Sequence, residues 1–179
     1  MTSTFTRRLA RLRVPLGFAS GVLVLWLAKP CWSSLAGGFA LAAVGELLRV
    51  WAAGHLEKSR EVTRSGPYRW LRHPLYVGSS IMSAGLAIAA WSVPVALLIA
   101  VYMIATLSAA IRTENAFLRA TFGADYDAWL DASRRDDPSV TVQRRFSLAR
   151  ARRNREHRAV SGLFLAFGLL ALKVWWLSR

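Results

Sequence analysis

A histidine followed by a proline, His73-Pro74, opens an apolar run and has the residue types for a binding site. Proline suits the first turn of a helix, so the pair predicts that a helix begins at Pro74 with His73 at its N-terminus. Backbone N–H groups at such an end point outward and favour an anionic group such as a carboxylate. Tyr68 and Tyr76 add aromatic faces on either side of the pair. Singly, these residues are also typical of a helix cap and of membrane-interface anchors.

A carboxylate, Glu114, stands where another apolar run gives way to polar sequence. A negative charge near a helix C-terminus is disfavoured by the helix dipole if the helix ends there. We therefore expect Glu114 to have a cationic partner, either Arg112 or a bound ligand. A simply solvated carboxylate is the alternative.

Glu46 and Arg49 stand three residues apart inside a long apolar run. Residues at that spacing share one face of a helix, so the two side chains can meet. Ionisable residues within a membrane segment are functional candidates by default. The pair is therefore either a contact for the substrate or a structural ion pair, and both interpretations remain open.

Membrane helices are the elements that must position these residues. The 179 residues are 54% hydrophobic and yet carry a formal net charge of +14, with apolar runs and short basic segments alternating along the chain. This pattern is typical of an integral membrane protein in contact with membrane lipids. It disfavours nucleic acid as a partner, since no zinc-finger, RNA-binding or helix-turn-helix pattern accompanies the basic charge. One cysteine, Cys31, allows no intrachain disulfide and no cysteine-based metal site, and we predict no metal.

Five spans are predicted from runs near the ~20 apolar residues that cross a bilayer. They are residues 14–28, 32–54, 74–91, 93–111 and 159–177. We therefore expect an all-α, polytopic membrane protein of about five transmembrane helices, a single domain over residues 1–179. The first run follows an arginine-rich start, and we interpret it as a retained span rather than a signal peptide.

The basic residues set the expected orientation. Of the 24 lysines and arginines, only Lys29, Lys173 and Arg179 fall on the side opposite the N-terminus. The excess of positive charge marks the cytoplasmic side. The N-terminus is therefore expected in the cytoplasm, in a membrane of the bacterial inner-membrane type.

Two motifs resemble those of a known family. The string Ser65 to Gly78, SGPYRWLRHPLYVG, resembles the cofactor-binding motif of the isoprenylcysteine carboxyl methyltransferase and phospholipid methyltransferase-like family. The pattern from Glu114 to Tyr126, ExxFLxxxFGxxY, resembles that family's second motif. The order of the motifs and their separation by one helical hairpin agree with the family as well.

The resemblance implies an integral membrane methyltransferase that uses S-adenosyl-L-methionine. By the same resemblance, Tyr68, His73, Pro74 and Tyr76 would line a cofactor pocket on the cytoplasmic side, and Glu114 would hold a polar end of the cofactor. His73 suits the cofactor's carboxylate, Glu114 its ammonium or a ribose hydroxyl, and the tyrosines its sulfonium.

The implied reaction is direct transfer of a methyl group from the sulfonium to a nucleophile, which needs mainly positioning and partial desolvation. The expected acceptor is lipophilic or small and presents a carboxylate, thiol or amine. Ala110 stands where the carboxyl methyltransferases proper have a substrate-binding arginine, so the prenylcysteine substrate does not carry over. A phospholipid N-methyltransferase is one alternative, and a non-enzymatic membrane scaffold or transport subunit is another. No catalytic residue is assigned.

Overall fold

The fold is that of a computed structural model, which describes residues 19, 21–57, 61–134 and 144–179. The described residues form helices and no strand, which confirms the all-α prediction. A short 3-10 helix covers Gly66–Arg69, and residues 21–27 are also helical. The remaining helices are α1 (Trp32–His55), α2 (Pro74–Ala90), α3 (Val93–Phe122), α4 (Ala124–Arg134), α5 (Leu148–Arg153) and α6 (Glu156–Leu177).

The membrane spans follow the predicted runs. Helices α1, α3 and α6 are long and apolar enough to cross a membrane, and α2, at 17 residues, is a shorter apolar helix. These four helices correspond to the predicted spans 32–54, 74–91, 93–111 and 159–177. Of the predicted first span, 14–28, residues 21–27 are helical, and residues 14–18 and 20 lie outside the described residues.

Prolines and one left-handed residue shape the turn between α2 and α3. Both helices carry a proline in their first turn. Backbone N–H groups in the first turn make no hydrogen bond within the helix, so proline, which lacks this group, costs none there. Trp91 caps the end of α2 with φ 47° in the left-handed region, and α3 begins at Val93. This tight reversal makes α2 and α3 neighbours.

Two pairs of glycines bring the backbones of α1 and α2 into contact. A Cβ on Gly38 would lie 2.5 Å from the carbonyl oxygen of Gly85, and a Cβ on Gly45 would lie 2.6 Å from that of Gly78. Small residues at a helix crossing let two backbones approach this closely inside a membrane. The crossing holds the start of α2 against the end of α1, where the candidate site lies.

A valine at Gly38 is expected to destabilise the protein by about 1–3 kcal/mol, because the added side chain would meet the backbone of α2. Gly37→Val is the matched control, since a Cβ on Gly37 meets nothing within 4 Å and the cost in helix propensity is the same. Thermal unfolding of both variants in detergent would measure the difference. Equal unfolding temperatures for the two variants would contradict the close crossing.

Helix α6 closes the bundle against α1. Phe167 packs edge-to-face on Phe39 of α1, with ring centroids 5.3 Å apart, and Leu170 is fully buried. Near the far end of α6, the ammonium of Lys173 donates to the carbonyl oxygens of Leu25 and Trp26 at 2.6 and 3.0 Å. These carbonyls end the helical residues 21–27, where a cation is favourable.

Candidate functional site

A cleft of about 700 Å³ lies at the His55 end of α1. Its walls come from α1, the loop between α1 and α2, the first turns of α2, residues 102–118 of α3, Trp129 of α4, and residues around the start of α6. This volume falls within the range of small-molecule and cofactor sites, roughly 300–1,000 Å³.

Four of the five predicted cofactor residues line this cleft: Tyr68, His73, Tyr76 and Glu114. The fifth, Pro74, is buried as the first residue of α2 and makes His73 the N-cap of that helix, as the sequence predicted.

His73 and Glu114 join the two sequence motifs. Nδ1 of His73 lies 3.5 Å from Oε2 of Glu114, and the rings of His73 and Tyr76 lie 5.4 Å apart between centroids. Helix α3 continues to Phe122, so Glu114 lies within the helix rather than at its C-terminus. The dipole penalty considered for a helix end therefore does not apply. The result is a basic ring and a carboxylate side by side in the cleft wall.

The loop before α2 places Tyr68 in the cleft. Gly66 has φ +59°, and a Cβ there would lie 2.5 Å from the His55 imidazole, so the turn needs glycine. Nδ1 of His55 and Oγ of Ser65 form a hydrogen bond of 3.1 Å that fixes the start of this turn. Burial, and then the negative charge of Glu114, raise the pKa of Tyr68, so its phenol stays protonated at physiological pH.

The predicted substrate pair forms an ion pair, and a third residue joins it. Nε of Arg49 lies 3.5 Å from Oε2 of Glu46, and its Nη2 lies 2.6 Å from Oε1 of Glu156. Arg49 and Glu156 line the cleft, while Glu46 is buried behind them. The spacing of Glu46 and Arg49 predicted their contact, but nothing in the sequence pointed to the contact of Arg49 with Glu156.

Among the polar cleft residues that the sequence reasoning did not select are Arg72, Asn154 and Glu156. Arg72 directly precedes His73 inside the recognised motif. The other two belong to a basic stretch that reads as a solvated surface. Glu156 did carry a signal, since an acidic residue at the start of the last apolar run suits a helix N-terminus. The amide of Asn154 donates to the carbonyl oxygens of Ala53 and Leu56, both at 2.9 Å, and so satisfies the end of α1.

Ion pairs tie the same stretch to the loop after α1. Nε of Arg150 lies 2.8 Å from Oε1 of Glu57, and Nη1 of Arg144 lies 2.6 Å from Oε1 of Glu61. Both glutamates line the cleft. Burial acts to raise the pKa of Glu57, but the hydrogen bond from Arg150 and the charges of Arg153, Arg150 and Arg144 outweigh it and hold the pKa below its ordinary value.

The lowered pKa of Glu57 predicts a pH-dependent contribution to stability. Unfolding restores the ordinary pKa of ~4.3, so the contribution is complete above that pH and is lost as the pH falls through the lower folded value. The unfolding temperature of the wild type should exceed that of Glu57→Gln at neutral pH, and the difference should shrink below about pH 4.3. Thermal unfolding from neutral to acid pH tests this, and a difference that grows in acid would contradict it.

Comparison with known proteins gives one family and two curated relatives. A family model described as phospholipid methyltransferase matches residues 33–125, just over half of the chain. The cobalt-zinc-cadmium resistance protein CzcN of Cupriavidus metallidurans is 37% identical over 87 residues. The nickel-cobalt-cadmium resistance protein NccN of Alcaligenes xylosoxydans xylosoxydans is 34% identical over 87 residues. Each match covers 48% of this chain and 39% of the relative. No solved structure gave a significant match.

Proposed function

We propose that this chain, which belongs to the phospholipid methyltransferase family, transfers a methyl group from S-adenosyl-L-methionine to a lipophilic or small acceptor at the membrane. The apolar helices indicate a membrane protein, and the family indicates a methyltransferase. The proposal includes the methyl donor, the acceptor and a cleft that opens at the cytoplasmic face of the membrane.

The observation that carries the proposal is the meeting of the two motifs in one cleft. His73 comes from the start of α2 and Glu114 from the second half of α3, and their side chains lie 3.5 Å apart. Tyr68 and Tyr76 line the same cleft. Titratable and aromatic groups that converge in a concave pocket are the usual sign of a ligand site.

The cleft has a suitable group for each end of the cofactor. His73 and Arg72 suit its carboxylate, and Glu114 suits its ammonium or a ribose hydroxyl. Tyr68 and Tyr76 offer ring faces to a sulfonium. When bound, the cofactor would supply an activated methyl group, and the chain's own contribution would be to orient it and to exclude water.

An acceptor from the bilayer fits the other end of the cleft. The cleft is also lined by Leu75 and Ser79 of α2 and by Tyr102, Thr106 and Ala110 of α3, in the apolar part of both helices. Val95 is the one buried residue among those described in α3, so most of the surface of that helix is exposed and can face lipid. A lipophilic acceptor can therefore reach the cleft from the side, and the family description makes a phospholipid amine the first acceptor to test.

The contacts of Arg49 support the structural interpretation of the predicted substrate pair. Its guanidinium is engaged by Glu46, Glu156, the carbonyl oxygen of Leu75 and the hydroxyl of Ser79. An acceptor carboxylate would find few donors left, so Arg49 is better placed to hold the site together than to bind the acceptor.

Calorimetric titration of the purified full chain in mild detergent tests the proposal. S-adenosyl-L-methionine and its demethylated product should bind with near-micromolar affinity, about 8 kcal/mol. Membranes that contain the chain should then incorporate labelled methyl groups into the lipid fraction. A folded chain that binds neither compound would overturn the proposal and favour a scaffold or transport role.

A further inference from the structure

The guanidinium of Arg49 contacts residues of three helices. Its Nη2 lies 2.6 Å from Oε1 of Glu156 at the start of α6, and its Nε lies 3.5 Å from Oε2 of Glu46 within α1. Its Nη1 donates to the hydroxyl of Ser79 and, at 3.4 Å, to the carbonyl oxygen of Leu75 in α2. One guanidinium therefore connects α1, α2 and α6.

The part of α2 that Arg49 holds is the part that carries the first motif. Leu75 stands between Pro74 and Tyr76, and the backbone N–H of Tyr76 donates to the carbonyl oxygen of His73 at 3.0 Å. Because these residues share one helical turn, a shift of the Leu75 carbonyl would move His73 and Tyr76 with it. The position of Arg49 thus bears directly on the geometry of the cleft.

Glu156 decides which way the guanidinium of Arg49 points. Glu156 is 5% exposed and makes the shorter of the two carboxylate contacts, from a helix outside the hairpin of α1 and α2. Without it, Glu46, one turn away on the same helix, would be the only carboxylate left among the described contacts of Arg49. The guanidinium would then be drawn along α1, away from Leu75 and Ser79.

We propose that Glu156 is a positioning residue of the cofactor site: through Arg49 it holds the first turn of α2, with His73 and Tyr76, in the geometry that binds the cofactor. The inference rests on the proposed function. It extends the site to α6, beyond the residues 33–125 that the family model matches.

The test uses the full chain and S-adenosylhomocysteine as the probe. Glu156→Ala should weaken probe binding by about tenfold, the scale at which supporting contacts around a bound group act. Glu156→Gln keeps the volume and one acceptor oxygen, so its loss should be smaller. Lys173→Met is the matched control, because it loosens the opposite end of α6 from Leu25 and Trp26 without touching the cleft.

Probe affinity and unfolding temperature, measured together, separate positioning from mere stability. Lys173→Met should bind like the wild type even where its unfolding temperature falls. A folded Glu156→Ala that also binds like the wild type would overturn the inference, since Glu156 would then only anchor α6. If Glu156→Ala does not fold, the same criterion applies to Glu156→Gln. A wild type that fails to bind the probe would overturn the proposed function and this inference with it.

Discussion

Replacing Glu114 with alanine is expected to weaken the binding of S-adenosyl-L-methionine by roughly 10- to 100-fold, since a hydrogen bond to a charged group contributes ~1.5–3 kcal/mol. Glu114 is the cleft carboxylate that lies beside His73, and its side chain is 39% exposed. Because it is not a core residue, its loss should leave the unfolding temperature nearly unchanged. Calorimetric titration of the variant in detergent gives the affinity directly.

Asp127→Ala is the matched control for Glu114→Ala. It removes a carboxylate of the same charge from α4, where Asp127 is 55% exposed and lies 3.2 Å from Nε of Arg119, outside the cleft. Its affinity for the cofactor should equal that of the wild type. If both variants bind as tightly as the wild type, Glu114 does not hold the cofactor, and the role that the second motif implies for it is wrong.

Replacing Arg49 with methionine should have the largest effect on stability, a loss of about 3–5 kcal/mol, the usual cost of leaving a buried charge without its partner. The variant would leave the side chains of Glu46 and Glu156, which are 8% and 7% exposed, without a cation. Lysine should restore the stability only in part, because one ammonium cannot reproduce the planar set of donors that contacts α1, α2 and α6. Denaturant or thermal unfolding in detergent would measure both variants.

Two further variants make the Arg49 result specific. Arg119→Met removes an arginine that is 64% exposed, and it should cost no more than ~1 kcal/mol. Adding Glu46→Gln and Glu156→Gln to Arg49→Met should recover part of the loss, because the unpaired charges are then gone. If Arg49→Met is as stable as Arg119→Met, the contacts of Arg49 with α1, α2 and α6 do not contribute to stability as proposed.

The hairpin of α1 and α2 illustrates how far local pattern reaches. A run of apolar residues as long as the bilayer is thick predicted residues 32–54, and the helix is Trp32–His55. Proline chemistry predicted the start at Pro74, and the helix begins there. The crossing between the two helices was beyond prediction, because Gly38 meets Gly85 only once the hairpin has closed.

In the cleft too, the sequence identifies individual residues, while their contacts depend on tertiary packing. The motif residues Tyr68, His73, Tyr76 and Glu114 were identified from sequence, and all four line it. The contact of His73 with Glu114 depends on the packing of α2 against α3, which no local pattern describes. The links of Arg150 to Glu57 and of Asn154 to the end of α1 likewise join segments that lie far apart in the chain.

By itself, the sequence determined the helical class, the positions of the described spans, and the contact of Glu46 with Arg49, because hydrophobic thickness and the 3.6-residue helical period act over a few turns. Only the tertiary structure decided that Arg49 also binds Glu156 and holds the start of α2. That contact depends on where α6 returns in the bundle. The return follows from the packing of whole helix faces, such as Phe167 on Phe39, rather than from any neighbouring residue in the chain.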